Sequence, residues 1–231
     1  ILFNMGICNT GLSIFLKNYH SLNIDISCSI GRQELRASKM ELKNLFDANS
    51  LLLPSGSNFI YFDQLLRKLN CKKFDSLDYS EFEGATLIHD FNLPLSPELY
   101  YNYDFVFDGG SLEHIFNISE AIKNSMLLVK PGGHYYGIHP CNNQSGHGFY
   151  QISPEFYFRV FTEENGFKIK KLYAYKAKAR NNVIYEIDDP NTVKSRVSII
   201  SLGPVNLFVI AERINKNIPF KSYPVQSDYA A

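Results

Sequence analysis

Residues Tyr103 to Gly133, YDFVFDGGSLEHIFNISEAIKNSMLLVKPGG, constrain the fold of this 231-residue chain more than any other stretch. Tyr103 to Phe107 is apolar and aromatic, the pattern of a buried strand. Asp108-Gly109-Gly110-Ser111 interrupts it with an acidic, glycine-rich turn. Ile118, Ile122, Met126 and Val129 then recur at +4, +4 and +3, one apolar face of a helix predicted from Asn117 to Val129. Ser119 is its expected cap, and Pro131-Gly132-Gly133 its expected stop. A buried strand that runs through a polar turn into a helix is the repeating unit of α/β sheets. Ligands of such sheets bind outside the carboxyl ends of the strands. The polar run from Asp108 to His114 is therefore the expected centre of a functional site.

The remaining sequence repeats that unit. Strands are predicted at Ile24 to Ile30, Lys73 to Leu77, Ala85 to His89, His134 to His139, Phe167 to Tyr175 and Val205 to Ile210. Helices are predicted through Leu12, Phe15, Leu16 and Tyr19, over Ser38 to Phe46 and Phe59 to Leu69, and from Ser153-Pro154 to Asn165-Gly166. Ser38 with Glu41 three residues on spells a capping box. The expected fold is α/β and Rossmann-like, a mostly parallel seven-stranded sheet with helices on both faces and its last two strands antiparallel at one end. Residues 1–231 are expected to form one domain. It carries an N-terminal helical addition over about 1–20 and a polar insertion over about 177–200.

Composition narrows the function classes. Formal net charge is zero, with 23 basic and 23 acidic residues and no basic run, so nucleic acid is not an expected partner. The four cysteines, Cys8, Cys28, Cys71 and Cys141, form no CxxC and fit neither a zinc site nor a disulfide framework, which points to a reducing cytoplasm. No apolar run approaches the ~20 residues that span a bilayer, so no membrane is expected. The start lacks the basic-then-apolar pattern of a signal peptide. It begins at Ile1 rather than Met, as if the native start were missing. Oligomeric state stays open, a homodimer included.

Three predicted strands end in an acid: Asp78, Asp90 and Asp108. An acid after the second strand of such a sheet suits ribose hydroxyls, and one after the third can accept from an exocyclic amine. Each is also ordinary turn chemistry. Together with the LEH turn and the LVKPGG entry to the next strand, these residues make the chain resemble the class I S-adenosylmethionine-dependent methyltransferases over roughly residues 24–175. The segments DYSEFEGA, HDFN and GHGFYQISPE resemble a subgroup met in bacterial surface-polysaccharide gene clusters. The resemblance implies S-adenosyl-L-methionine as cofactor. It implies a donor site drawn from Ser29, Gly31, Arg32, Asp78, Tyr79, Asp90, Phe91, Asp108, Gly109 and Ser111. The first loop departs from the family pattern: Ser29-Ile30-Gly31-Arg32-Gln33 has one glycine and no acid, and 47 residues separate Gly31 from Asp78.

Methyl transfer to oxygen needs an aligned acceptor and a destination for its proton. Histidine suits that task near neutral pH, so His147 and His114 are the candidate catalytic residues. A histidine that opens a helix also serves as a cap or packs under the cofactor, and the glycines around His147 also suit a surface loop. His139, Asn142, Asn143, Tyr150 and Gln151 are candidate contacts to a small polar acceptor such as a sugar, a sugar nucleotide or a phosphoramidate-type group. No metal constellation is legible: His89/Asp90 and Asp108/His114 each lack a third partner. The competing expectations are a non-catalytic binding or scaffold protein with a degenerate cofactor loop, and a nucleotide-dependent oxidoreductase. The missing GxGxxG disfavours the oxidoreductase.

Overall fold

The computed structural model describes residues 6–56, 58–177 and 183–229. Residues 1–5 of the expected N-terminal addition and 178–182 of the expected insertion lie outside them. In chain order the elements are β1 Gly6–Cys8, α1 Asn9–Asn18, β2 Ile26–Ile30, β3 Glu34–Arg36, α2 Lys39–Ala48, α3 Phe62–Lys68, β4 Lys73–Asp78, β5 Leu87–Ile88 and β6 Tyr103–Asp108. They continue as α4 Ile118–Leu128, β7 Val129–Asn142, α5 Pro154–Val160, β8 Phe167–Lys176, β9 Ile184–Glu186, α6 Pro190–Val193 and β10 Val205–Arg213.

The main sheet has eight strands in the order β5-β4-β2-β6-β7-β10-β8-β9. The first five are parallel. β10 runs antiparallel to both β7 and β8, and β9 antiparallel to β8. Pairing of the last two expected strands is as the sequence implied, but the sheet is mixed and one strand larger. The extra strand is β9, a three-residue segment inside the polar insertion whose Ile184 pairs with Tyr175. Ile184 and Tyr185 are strand formers, but the run is short and set among polar residues; the open edge of β8 supplies the partner that makes it a strand. A separate parallel ribbon joins β1 to β3.

Alternation along the strands sends side chains to two cores. Leu207, Val209 and Ala211 of β10 face the layer that holds Ala121, Ile122 and Met126 of α4 and Tyr157 of α5. Phe208 and Ile210 face the opposite layer, with Phe15 of α1, Phe46 of α2 and Phe62 of α3. Helices therefore cover both faces. In the second core Phe62 meets Phe15 and Phe107 with ring centroids 5.1 and 4.8 Å apart, mixing edge and tilted contacts. Full burial of each such ring contributes about 2–3 kcal/mol.

Helix ends follow local chemistry. The Ser38–Glu41 capping box forms in both directions, and Ser153 caps α5 with Pro154 at its first position. α4 is capped by Asn117, which accepts from Glu120 N; Ser119 instead donates to the Asn117 side chain. α5 stops at Val160, earlier than Gly166, because Asn165 Nδ2 donates back to Val160 O at 3.0 Å and closes the helix from outside. Pro131-Gly132-Gly133 lies inside β7 rather than between elements. There a Cβ on Gly133 would stand 2.7 Å from Asp104 O, so only glycine lets β7 close on β6.

Chain order around β2 positions the site. From β2 the chain moves outward to β4 and β5, then returns to the other side with β6 and β7. The reversal between β2 and β6 is a topological switch point, where a crevice opens at the carboxyl ends of the strands. Register places Ile30 opposite both Leu77 and Asp108, so the turns that begin at Gly31, Asp78 and Gly109 leave the sheet side by side.

At the far end of β10, Arg213 is fully buried. Its guanidinium donates to Met126 O, Asn215 O and Asn217 O at 2.7–2.8 Å and stacks between Tyr101 and Phe167. Burial lowers its pKa to about 10. It thus takes up a carbonyl from the last turn of α4 and ties that helix to the segment after β10. Replacing Arg213 by Ala is expected to lower stability by about 3 kcal/mol, because three buried carbonyls lose a charged donor. Urea unfolding measures this, and an unchanged midpoint would show the clamp to be dispensable.

Candidate functional site

A cleft of about 240 Å³ lies at the switch point, lined by Gly31, Asp78, Tyr79, Asp90, Phe91, Ser111 and His114 among others. Gly31 adopts φ +67° and donates its N–H to Leu77 O at 2.6 Å, while Ser29 Oγ donates to Gly31 O. A Cβ there would stand 3.1 Å from Ser111 Oγ and 3.6 Å from Asp78 Oδ2, so the position needs glycine for conformation and for space. Asp78 Oδ1 accepts from Tyr79 N, which leaves Oδ2 turned across the cleft towards Gly31. Asp90 Oδ1 accepts from the backbone and the side chain of Asn92, and these bonds hold its carboxyl below the usual range.

Six of the ten donor-side residues expected from sequence therefore line one cleft: Gly31, Asp78, Tyr79, Asp90, Phe91 and Ser111. Ser29 and Asp108 are buried beneath it, and Gly109 borders the neighbouring cleft. Arg32 turns to the side, where Nε lies 3.2 Å from Asp63 Oδ1, a terminal nitrogen donates to Glu83 O, and the guanidinium covers the Tyr61 ring. Gln33 is buried and fills the space inside the first turn. Its Nε2 donates to Ile30 O and lies 3.2 Å from Ser111 Oγ.

Asp108 fixes the turn that joins the two clefts. It is fully buried at the end of β6. Oδ1 accepts from Gly110 N at 3.1 Å and Ser111 N at 2.7 Å, and Oδ2 lies 3.1 Å from His139 Nε2. His139, on β7, shares a hydrogen bond through Nδ1 with the hydroxyl of Tyr157 on α5. Burial works against a charge on His139, but Asp108, by charge and hydrogen bond, with Glu113 behind it, outweighs burial and raises its pKa.

A second cleft, about 300 Å³, lies on the other side of that turn and is lined by Arg36, Gly109, Gly110, Glu113, His139, Gln144, His147 and Asn206 among others. Glu113 is fully buried, and neither carboxylate oxygen receives a hydrogen bond among the described residues. His147 Nε2 stands 3.2 Å and His114 Nε2 4.0 Å from Glu113 Oε1, with the two imidazole centroids 4.9 Å apart. His114 lines the first cleft while Glu113 and His147 line the second, so this cluster stands where the two meet. Sequence reasoning named the two histidines but did not bring them together with Glu113, since His147 lies 33 positions after His114. Adjacent Glu113 and His114 were the only local signal.

The loop that carries His147 is bound to the turn through backbone. Phe149 N and Tyr150 N both donate to Glu113 O, and Tyr150 Oη donates to Phe116 O. A Cβ on Gly148 would lie 2.8 Å from Glu113 O and 3.1 Å from His114 Nδ1, so glycine permits the approach. The other expected acceptor contacts spend their polar atoms within the chain. Asn142 Nδ2 donates to Ile199 O, Asn143 Nδ2 to Ser201 O and Gly203 O, and Gln151 Oε1 accepts from Gln144 N. Among the acceptor-side residues expected from sequence, His139 alone lines the second cleft.

No family model matches the chain, and no curated protein matches its sequence. Solved structures similar to it include a protein of Bacillus halodurans C-125, with 10% identity over 87% of this chain and 98% of that one and a TM-score of 0.49. The N-methyltransferase NodS of Bradyrhizobium japonicum WM9 is similar at 11% identity, covering 89% and 94% of the two chains with a TM-score of 0.46. A SAM-dependent methyltransferase of Archaeoglobus fulgidus is similar at 12% identity, covering 89% and 95% with a TM-score of 0.44. At these scores none of them carries an argument about this chain. No helix among the described residues is long and apolar enough to cross a membrane.

Charge on His139 stabilises the folded chain below the ordinary imidazole value of ~6.5, and that contribution is lost as pH rises through the raised folded value. The ring resonances of His139 are expected to titrate above ~6.5, and in Asp108→Asn, where only Glu113 is left to oppose burial, at a lower pH than in the unaltered chain. A midpoint that does not fall in the variant would refute the pairing.

Proposed function

We propose that the chain transfers a methyl group from S-adenosyl-L-methionine to an oxygen of a small polar acceptor. The observation that carries the reading is the meeting of two clefts across the turn at 109–114, one at the switch point and bordered by two acids, the other lined by Arg36, Glu113, His139 and His147. In this reading the first cleft holds the donor. Asp78 Oδ2 accepts from the ribose hydroxyls, Asp90 accepts from the adenine amine, and Phe91 packs against the base. The turn at Gly31 lets backbone approach the methionine portion.

The acceptor lies in the second cleft, with its reacting oxygen at the Glu113, His114 and His147 cluster, where its proton is given up. Arg36 on the rim suits a sugar, a sugar nucleotide or a phosphoramidate-type group, while the Gln144 side-chain nitrogen donates within the chain to Val205 O and Asn206 Oδ1. A place in surface-polysaccharide biosynthesis draws on the sequence resemblance, and a cytoplasmic location on the cysteine spacing. The non-catalytic alternative draws on the first loop, where Ser29, Arg32 and Gln33 all engage the chain itself. It predicts that neither S-adenosylmethionine nor S-adenosylhomocysteine binds.

Calorimetry with S-adenosylmethionine and S-adenosylhomocysteine tests the assignment. One molecule of each is expected to bind per chain, and Asp78→Ala is expected to weaken binding by about tenfold, or 1.4 kcal/mol. Absence of binding to either compound would overturn the function, and unchanged affinity in the variant would overturn the ribose contact.

A further inference from the structure

We propose that Glu113, His114 and His147 form a binding site for a first-row divalent metal ion of borderline softness, with Zn²⁺ the reference case. The primary observation is the Glu113 carboxylate, fully buried and without a hydrogen bond to either oxygen among the described residues. A buried carboxylate costs several kcal/mol unless a positive charge compensates it. Two imidazoles turn Nε2 towards its Oε1, at 3.2 and 4.0 Å, and one ligand atom from each residue lies within 4.8 Å of the others. An ion about 2.0–2.2 Å from each ligand holds tetrahedral ligand atoms roughly 3.3–3.6 Å apart. His147 already stands near that spacing from Glu113, and His114, on the exposed rim, needs to swing by about 1 Å.

An ion pair with protonated histidine is the competing account. It supplies one charge at His147 but gives no reason for His114 to face the same oxygen, and two imidazolium rings 4.9 Å apart would repel. One metal ion leaves both rings neutral and satisfies the carboxylate. Two imidazoles and one carboxylate are a donor set for borderline ions such as Zn²⁺, Co²⁺ or Fe²⁺ rather than for Mg²⁺ or Ca²⁺. The backbone bonds from Phe149 and Tyr150 to Glu113 O hold the ligands together across the sequence gap.

The catalytic role of the ion rests on the methyl-transfer reading. Both clefts reach the cluster, so the acceptor hydroxyl coordinates at an open position and its O–H bond breaks, with the proton passing to water in the cleft. The oxygen electron pair forms the bond to the methyl carbon. The sulfur–carbon bond breaks with its pair going to sulfur, which leaves a neutral thioether. In this role His114 and His147 are ligands and not proton acceptors.

The test is titration of the metal-free full chain with Co²⁺, followed by visible absorbance, and with Zn²⁺, followed by calorimetry. One equivalent of either ion is expected to bind, with intense cobalt bands of low coordination number. Glu113→Gln and His147→Ala are expected to lose on the order of 100-fold in affinity, and His114→Ala about tenfold. His20→Ala, remote on the surface, is expected to bind as the unaltered chain does. His114→Ala removes an exposed side chain and keeps the test decisive if the buried substitutions impair folding. Failure to bind one equivalent, or full retention of affinity in all three variants, would overturn the site. Donor titration of the same metal-free protein separates the two readings. Donor binding without metal binding rejects this inference alone, and metal binding without donor binding supports the site while rejecting its part in methyl transfer.

Discussion

The carboxylate of Asp108 is the constraint around which this molecule is arranged. Taking an anion fully out of water at a strand end is tolerable only if donors meet it from several directions. Gly110 and Ser111 meet it from the turn, and His139 from the neighbouring strand. Those contacts fix the direction in which the chain leaves β6, and so set where Ser111, Glu113 and His114 stand. Tyr157 extends the same chain of contacts to α5, on the face opposite α1 and α3. One buried charge thereby couples the crevice floor, the central strand β7 and a covering helix. The low dielectric that makes the charge costly also strengthens the contacts that hold it.

Strand ends and helix caps were legible in the sequence because they rest on local chemistry. Gly31, Asp78, Asp90 and Ser111 arrive at one cleft because strands of known polarity end together, and the capping box of Ser38 and Glu41 needs only four residues. What escaped was decided by distant partners. Asn142 and Asn143 have the composition of ligand contacts, yet the segment 199–203 brings carbonyls that take their donors. Asp108 resembled the other two strand-end acids until His139, 31 residues later, proved to lie beside it. Arg32 was expected at the donor site, and Asp63 on α3 turns it away. An exposed polar residue announces capacity for hydrogen bonding but not its direction.

The same reasoning explains why the turn at 109–114 is richer than a support. Small residues at 109 and 110 leave room for neighbouring groups. A Cβ on Gly109 would collide with Gln33 Oε1 at 2.5 Å, and one on Gly110 would stand 3.2 Å from Glu113 Oε1. Space released by missing side chains is refilled by polar groups from other elements. The polar centre is thus assembled from the first turn, the 109–114 turn and the loop after β7.

Insertion of β10 between β7 and β8 has a consequence for how the chain comes into being. Every strand of the sheet except β10 precedes residue 205, and β10 then pairs on both sides over nearly its whole length. While the chain is being synthesised, β7 and β8 wait with open hydrogen-bonding edges and with the apolar surface that Leu207, Phe208 and Val209 later cover. Such edges are templates for pairing with other chains. The half of the sheet around β2, β4, β5 and β6 can close early, whereas the half that holds β8 and β9 is joined to it only by the last strand to emerge. Completion of the sheet waits for β10 to emerge, and a chain interrupted before it would be exposed to aggregation in proportion to how long those two edges stand unpaired.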